Sequence, residues 1–348
     1  SNIGRLVMDL GQSYSLSVLP LFILMGLLVE KGGMAKQLYR AAYAFLGDKK
    51  GGLAMSTVVA CGMFSAISGS SIATAATMSK VAMPEMRRYK YADSLATASI
   101  AAGGTLGILI PPSVILVIYG LLTEQSIGKL FMAGFLPGML GILFYTLAVF
   151  FVVSRNPSLG PAGEKTNWPE RLLALKNVWT TLALFIFVIG GIYIGLFSAT
   201  EAAGMGAAGA LIIAISSGNL KISEYFNVLR EASVLAAKLF ALLFGATMFS
   251  NFLNRAGLPD ALLGIINSFD LSAMAVIGII LLIYILLGCV FESMSMILLT
   301  VPIFVPLVKN LAPELGLGPD LVLIWFGILV VVVTEISLIT PPIGLNVF

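Results

Sequence analysis

The sequence predicts an all-α polytopic membrane protein made of inverted repeats, each with a re-entrant helical hairpin and a broken transmembrane helix. Three observations predict this fold class: the composition, two polar interruptions inside apolar windows, and motifs that recur along the chain. Of the 348 residues, 59% are hydrophobic and 11% are charged. Soluble proteins are about 45–50% apolar and about 25% charged, so we expect this chain in a lipid bilayer.

The composition also excludes several classes of function. A net charge of +3 is too small for a nucleic-acid-binding surface. The chain has no histidine, the commonest general base and a common metal ligand. Its two cysteines cannot build a metal cluster or a disulfide framework, and the sequence contains no Walker A motif. We therefore expect no enzyme, no bound cofactor and no ATP hydrolysis.

Long windows without charge mark the candidate membrane segments. A helix needs about 20 apolar residues to cross about 30 Å of hydrocarbon. The windows cover residues 10–29, 51–79, 94–123, 130–154, 177–200, 202–220, 232–254, 271–291, 293–308 and 321–348, the last with Glu335 inside it. Lys238 is the one basic residue within a predicted span, and we expect it to snorkel to the cytoplasmic interface, with a functional role as the alternative.

The window 51–79 predicts a re-entrant hairpin. Its centre, residues 65–71, contains four serines and a glycine. At 1.5 Å per residue the apolar arms on either side are too short to cross the membrane separately. Both outer ends of the segment are basic, so the chain is expected to enter and leave on the same face, with a hydroxyl-rich tip near mid-membrane.

The window 94–123 predicts a broken helix. It contains Gly103, Gly104 and Thr105, followed by Pro111 and Pro112. A proline disfavours helical backbone in the residue before it and leaves a carbonyl one turn earlier without a donor. Irregular backbone at membrane depth is tolerated only inside protein or beside a cavity, so we expect the break to line a site.

The same features recur later in the chain. Three ordered pairs of segments match at a nearly constant offset: residues 30–34 with 254–258, 64–68 with 291–295, and 108–112 with 338–342. Five full spans separate the two copies, and an odd number predicts an inverted repeat. Fifteen of the 20 lysines and arginines then fall on one face, which the positive-inside rule assigns to the cytoplasm.

The repeats suggest a division of the chain into a moving part and a fixed part. We expect residues 34–47 to form an interfacial helix that links the two parts. The five predicted units are a scaffold helix and arm at 1–50, a first transport half at 51–123, connecting scaffold helices at 124–230, a second scaffold helix and arm at 231–270, and a second transport half at 271–348.

Two hairpin tips facing two helix breaks predict cation binding. Freed carbonyls and helix C-termini attract cations, and hard oxygen ligands suit alkali cations rather than zinc or copper. Hydroxyl groups lie at Ser68, Ser70, Ser71 and Thr105, and in the second copy at Ser293, Ser295, Thr334 and Thr340. The alternative is that these hydroxyls only satisfy backbone carbonyls or neighbouring helices.

Charged residues near the tips complete the prediction. No basic residue is expected near either tip, so an anionic substrate would be held by helix N-termini, hydroxyls and bound cations. Glu292 begins the second tip. A carboxylate within the membrane is a functional candidate by default, and we expect Glu292 to position the tip or to tune a cation site, with a purely structural hydrogen bond as the alternative.

Five motifs resemble a known family over essentially the whole chain. FSAISGSSIATAATM, GILIPPSVILVIYG, KLFMAGFLPGML, SATEAAG and ITPPIGLNVF resemble the large membrane subunit of tripartite ATP-independent periplasmic (TRAP) transporters. The resemblance implies an elevator-type ion transporter fold in the bacterial inner membrane, sodium ions as coupling ions, a small four-helix membrane subunit, and a periplasmic substrate-binding protein that delivers an organic acid. It also implies further helices before residue 1 and after residue 348.

The resemblance also implies three sets of site residues. The first sodium site would use Ser68, Gly69, Ser70, Gly104, Thr105, Gly107 and Pro111. The second would use Ser293, Ser295, Thr334, Ile339, Thr340 and Pro341. Substrate would lie between the tips, against Ser70, Ser71, Pro112, Ser295 and Pro342. One departure is Glu292, where the family pattern has an aspartate more often.

The expected function is sodium-driven uptake of a C4-dicarboxylate, a sialic acid or a similar carboxylate. Moving one negative charge inward against 100 mV costs about 2.3 kcal/mol, and no ATPase motif offsets that cost. The alternative is a stand-alone sodium/anion symporter that needs no binding protein. An ion channel and a membrane enzyme are weaker alternatives, because the hairpins are deep and no nucleophile–base pair is present.

Overall fold

The structure is a computed structural model that describes residues 8, 12–218, 220–269, 271–342, 344 and 346–347. Side chains are described for these residues except at 254, 259, 260 and 265–267. Some residues of the predicted units 1–50, 124–230, 231–270 and 271–348 therefore lie outside the described residues. In the described part the secondary structure is helical throughout, which confirms the all-α prediction.

Fourteen α-helices follow one another in the described ranges. They are α1 Val18–Lys31, α2 Met34–Leu46, α3 Gly52–Ser68, α4 Ser71–Arg88, α5 Asp93–Thr105, α6 Val114–Thr123, α7 Ile127–Arg155, α8 Trp168–Tyr193, α9 Ala199–Ser217, α10 Ile222–Arg255, α11 Leu258–Ser268, α12 Ala273–Gly288, α13 Ser293–Leu311 and α14 Pro319–Leu338. Seven helical segments within these ranges are long and apolar enough to cross a membrane, as a polytopic membrane protein requires.

Helices α3 and α4 form the first hairpin. Only Gly69 and Ser70 separate them, and Gly69 takes a left-handed conformation with φ of +61° that glycine adopts without steric cost. The Ser70 hydroxyl caps α4 by accepting a hydrogen bond from the Ala73 N–H. At the other end, the Leu53 N–H donates to the Tyr91 hydroxyl over 3.1 Å. The start of α3 and the residues after α4 therefore meet.

Helices α12 and α13 form the second hairpin in the same way. Glu292 caps α13, and its carboxylate accepts from the N–H groups of Met294 and Ser295. At the open end, the Ala273 N–H donates to Glu314 Oε1 over 2.7 Å. Glu314 follows α13, so the start of the first arm again meets the residues after the second arm.

The predicted break in the window 94–123 is present between α5 and α6. The helix passes through Gly103 and Gly104, ends at Thr105 and gives way to a 3-10 turn, Leu106–Ile108. Both Pro111 and Pro112 lie in the connection. Ser113 joins the two sides of the break, because its hydroxyl donates to the Ile108 carbonyl and accepts from the Leu116 N–H.

Two helices begin nine or more residues before their charge-free windows. Helix α8 starts at Trp168 rather than near residue 177, because Asn167 and Glu170 form a capping box there. Helix α10 starts at Ile222, ten residues before its window. Charged side chains are tolerated in the outer turns of a membrane helix, so absence of charge is a poor guide to helix ends.

Several of the remaining helices pack around the first hairpin and its break. Helix α9 packs on α1, and α2 packs on both α3 and α8. Helix α7 lies on the first hairpin and the break, where Gly138 leaves room for Ile110 and Gly62 leaves room for the side chain of Ile142. Small residues let membrane helices approach closely, so this packing holds the first tip and its break against one long helix.

Candidate ion and substrate site

The first hairpin tip lies directly against the helix break. A Cβ atom added to Gly107 would lie 2.6 Å from the Ser70 carbonyl oxygen, and one added to Gly69 would lie 3.2 Å from the Pro112 carbonyl oxygen. Only glycine allows the two backbones to approach this closely. Carbonyl oxygens from two separate breaks in helical structure are thus brought to one place.

Side-chain hydroxyls surround this junction. The Ser68 and Thr74 hydroxyls lie 2.8 Å apart, and the Thr74 hydroxyl is also 2.8 Å from the Ser70 carbonyl. The Ser71 hydroxyl donates to the Thr105 carbonyl over 3.4 Å. Sequence reasoning missed Thr74. Its position four residues after Ser70, one turn into α4, was the available signal.

The remaining residues of the first predicted set lie around the same junction. A Cβ atom on Gly104 would lie 2.7 Å from Ala75 Cβ, so α5 packs tightly on α4. The Thr105 hydroxyl donates to the Ala102 carbonyl over 2.7 Å and lies 3.2 Å from the Tyr145 hydroxyl. Pro111 is buried within the break. The first set is therefore assembled, although most of its hydroxyls already have protein partners.

The second tip is organised by Glu292. Its Oε2 atom accepts hydrogen bonds from the Met294 N–H at 2.9 Å and the Ser295 N–H at 3.1 Å. The carboxylate therefore holds the first turn of α13 and complements the positive end of that helix. Ser293 is buried, whereas Ser295 is partly exposed.

The second predicted set is more dispersed than the first. The Thr340 hydroxyl donates to the Ile336 carbonyl, Ile339 is the C-cap of α14, and both Pro341 and Pro342 are exposed. Thr334 is buried, and its hydroxyl has no hydrogen-bond partner among the described residues. Within that part of the chain, no hydrogen bond joins Ser293 or Ser295 to the end of α14.

A buried carboxyl group connects α14 with the break between α5 and α6. Glu335 on α14 is only 5% exposed and lies against the backbone of Ile108 and Leu109 in the first break. These backbone groups form hydrogen bonds with the carboxyl group and so offset part of the cost of burying it. Glu335 therefore links α14 to the first break in the core.

A cavity of about 190 Å³ opens beside the first tip. Its walls come from the tip itself, from Met294 at the second tip, and from α1 and α10. Ser68, Gly69 and Ser70 line one side, and Leu27 and Leu239 contribute apolar surface opposite. This cavity thus lies between hairpin residues of both copies and the long helices beside them.

The expectation that no basic residue lies near either tip is wrong. Lys238 lines the same cavity as Ser68 and Ser70. The sequence window placed Lys238 near the end of its span, but α10 begins at Ile222, so Lys238 lies near the middle of a 34-residue helix. No carboxylate of the described residues lies within 4.0 Å of its ammonium group.

Glu30 is a second charged residue of this cavity that sequence reasoning did not assign to the site. It lies near the end of α1 and lines the cavity. Its Oε1 atom accepts a hydrogen bond from the Thr77 hydroxyl over 3.2 Å. The neighbouring Lys31 pairs instead with Glu231 at 3.5 Å. The cavity therefore presents one cationic and one anionic side chain.

The fold and this site define a multi-pass α-helical membrane protein with a largely apolar cavity, carrying one lysine and one glutamate, between its hairpins and helices α1 and α10. Residues 3–348 match the family model described as "Tripartite ATP-independent periplasmic transporter, DctM component". The chain belongs to this family of TRAP transporter large permease proteins, as its motifs predict. The family implies an inner-membrane location, a periplasmic binding protein and a small membrane subunit as partners.

Three curated relatives illustrate the similarity. The C4-dicarboxylate TRAP transporter large permease protein DctM of Pseudomonas aeruginosa is 36% identical over 98% of this chain and 78% of the relative. The ectoine/5-hydroxyectoine TRAP transporter large permease protein UehC of Ruegeria pomeroyi is 31% identical over 96% and 76%. The sialic acid TRAP transporter large permease protein SiaM of Vibrio cholerae is 29% identical over 97% and 77%.

Proposed function

We propose that this protein carries out sodium-coupled uptake of a small organic acid across the bacterial inner membrane by an elevator mechanism. A periplasmic binding protein would deliver the substrate, and a small four-helix membrane subunit would complete the transporter. The single observation that carries the proposal is the cavity shared by the first tip, Met294, Glu30 and Lys238. It combines a hairpin tip with two charged side chains that line the same cavity.

The oxygen atoms at the first tip are suitable ligands for sodium. The Ser70, Thr105 and Pro112 carbonyls and the Ser68 and Thr74 hydroxyls are hard oxygen donors. Oxygen ligands suit hard cations, whereas thiolate and imidazole suit transition metals. A cation held here would also offset the negative charge of a substrate in the adjoining cavity.

The two hairpins support an inverted-repeat, elevator-type arrangement. Each hairpin has a capped second arm and an N–H at the start of its first arm that is bonded to a residue after the second. Such closure lets a hairpin keep its shape while it moves. In this proposal the hairpins and breaks carry substrate and sodium past α1 and α10, and the second sodium site forms at the end of α14.

Lys238 supports an anionic substrate. A carboxylate bound to an ammonium group makes a charge-assisted hydrogen bond, which is about twice as strong as a neutral one. The cavity of about 190 Å³ is smaller than the ~300–1,000 Å³ of pockets for drug-sized ligands. A four-carbon dicarboxylate therefore fits this cavity better than a sialic acid does.

Glu30 favours a second candidate, a zwitterionic acid. A substrate with both a carboxylate and a cationic group could interact with Lys238 and Glu30 together, since both line the cavity. The UehC relative is named for ectoine, which is a zwitterion. In the zwitterion case both charged residues would contribute to affinity, whereas a dicarboxylate would gain nothing from Glu30.

Energetics favour coupling to cations. Each negative charge moved inward costs about 2.3 kcal/mol per 100 mV of membrane potential. A dianion therefore needs at least three sodium ions before the membrane potential drives uptake. Uptake of a zwitterion, which carries no net charge, would be driven by a single sodium ion.

The test is uptake into proteoliposomes that contain this chain with its small subunit. Labelled C4-dicarboxylates, ectoine and sialic acid are offered with and without binding protein and sodium gradient. We expect uptake to require both additions. Sodium alone would support a stand-alone symporter, and uptake that needs no sodium would overturn the coupling proposal.

Substitutions of Lys238 and Glu30 then test whether the substrate binds in this cavity. Lys238→Gln should reduce uptake of the preferred acid at least tenfold, because a hydrogen bond to a charged group contributes about 1.5–3 kcal/mol. Glu30→Gln should reduce uptake similarly only for a zwitterion. Lys176→Gln is the matched control, because Lys176 is an exposed lysine on α8. Equal effects of Lys238→Gln and Lys176→Gln would remove Lys238 from the site.

A further inference from the structure

A second cavity lies apart from the tips. It lies between the interfacial helix α2, which we call the arm helix, and α4, the second arm of the first hairpin. It has a volume of about 480 Å³, and four cationic side chains line it: Lys36, Arg40, Lys80 and Arg88. The positive-inside assignment puts all four on the cytoplasmic face. Neither the ion site nor the substrate cavity uses any of these residues.

The positive charge of this cavity is only partly neutralised. Arg88 pairs with Glu85 at 3.8 Å, and Glu164 is the second acidic residue of the lining. Among the described residues, no carboxylate lies within 4.0 Å of Lys36, Arg40 or Lys80. Like charges that share a cavity repel one another, so the cluster is favourable when an anion lies among them.

The tyrosines of the cavity do not supply that negative charge. The hydroxyl groups of Tyr43 and Tyr89 share a hydrogen bond over 3.3 Å. This hydrogen bond, together with burial, holds the pKa of Tyr89 above its usual value. Burial likewise raises the pKa of Tyr39. Both phenols therefore stay neutral at physiological pH and add no negative charge to the cavity.

The chemistry of the four cationic side chains suits an oxyanion such as phosphate. Lys36 and Arg40 are one turn apart on α2, so they share a face of that helix, whereas Lys80 and Arg88 belong to α4. Arginine forms bidentate hydrogen bonds with phosphate oxygens, and lysine acts as a point charge beside them. An anion between them would contact both helices at once.

We propose that this cavity binds a phosphate group and thereby links the arm helix to the first hairpin. The phosphate could belong to the headgroup of an anionic lipid, which basic clusters on the cytoplasmic side attract, or to a soluble phosphate compound. Helix α2 is itself attached to α8, because the Arg171 guanidinium donates to the Ala44 carbonyl over 3.0 Å. A bound phosphate would therefore restrain the hairpin relative to α8.

The test is thermal unfolding of the purified complex of this chain with its small subunit in neutral detergent. The probes are phosphatidylglycerol, phosphatidylcholine and inorganic phosphate. We expect phosphatidylglycerol or inorganic phosphate to raise the unfolding temperature by about 2–4 °C, as ligand binding to the folded state does. A rise with phosphatidylglycerol alone identifies a lipid headgroup, and a rise with inorganic phosphate identifies a soluble source.

Matched variants tie the effect to the cavity. The double variant Lys36→Gln, Lys80→Gln should lose the shift, whereas Lys36→Arg, Lys80→Arg should keep it because the charge remains. Lys49→Gln, Lys50→Gln is the control, since both residues are exposed on the same face but do not line the cavity. The proposal is overturned if neither probe shifts unfolding, if phosphatidylcholine acts equally, or if the first double variant keeps the shift.

Discussion

The backbone N–H of Leu53 donates a 3.1 Å hydrogen bond to the hydroxyl of Tyr91, which closes the open end of the first hairpin. Ala273 and Glu314 make the corresponding bond in the second hairpin at 2.7 Å. Each bond joins residues about 40 positions apart in the chain. The hairpins are thus closed at the base by a side chain and at the tip by a helix cap.

Raising the pH should weaken the base of the first hairpin. Burial raises the pKa of Tyr91 to about 12, against a reference near 10. Between these two values the unfolded chain loses a proton that the folded protein keeps, so this contribution to stability is complete below pH ~10 and is lost as the pH rises toward 12. Thermal unfolding in detergent between pH 8 and 11 measures the decline.

Tyr91→Phe separates the titration of Tyr91 from that of other groups. The variant should start about 1 kcal/mol less stable at pH 8, because the Leu53 N–H loses its acceptor, and it should then decline less steeply above pH 10. Tyr14→Phe removes an exposed tyrosine and serves as the control. A pH dependence identical to that of the unmodified protein would contradict this account.

Gly107→Ala should separate the first tip from the break. The added methyl group would lie 2.6 Å from the Ser70 carbonyl oxygen, and backbone cannot move aside as a flexible side chain does. Overpacking of this kind costs about 1–3 kcal/mol. We expect a lower unfolding temperature and a loss of sodium-dependent uptake.

The control for that substitution is Gly190→Ala on α8. A methyl group there would meet no atom within 4 Å, and alanine favours helix over glycine, so stability should stay level or rise. If Gly107→Ala transports normally, the close approach of tip and break is not needed for function.

Glu292→Ala should destabilise the second tip. The substitution removes the acceptor for two N–H groups in the first turn of α13. Loss of an N-cap costs about 0.5–2 kcal/mol. Glu292→Asp, with a shorter carboxylate, should retain most of the stability. Thermal unfolding of both variants measures the difference, and equal losses would mean that capping is not the role of Glu292.

Sodium dependence should respond to hydroxyls at the first tip. Ser68→Ala and Thr74→Val should each raise the sodium concentration for half-maximal uptake about fivefold, which corresponds to about 1 kcal/mol. Ser79→Ala is the control, since that hydroxyl bonds to the Ala76 carbonyl further along α4. If both tip variants keep the sodium dependence of the control, these hydroxyls serve only the protein backbone.

Much of the local structure could be predicted before any tertiary contact was known. Pro111 and Pro112 predict the break between α5 and α6, and the serines around Gly69 predict a hairpin tip. Both follow from backbone preferences of neighbouring residues. The start of α8, nine residues before its charge-free window, was missed, because the capping box at Asn167 and Glu170 outweighs the charges nearby.

The sequence by itself determined that this protein is an all-α membrane protein of the DctM family with hairpins and helix breaks, because composition, proline and glycine act locally. Only the tertiary structure decided which residues share a cavity. Lys238 and Glu30 are far apart in the chain, yet both line the space beside Ser70. Helix packing brings such residues together, and neither hydropathy nor local backbone preference encodes that contact.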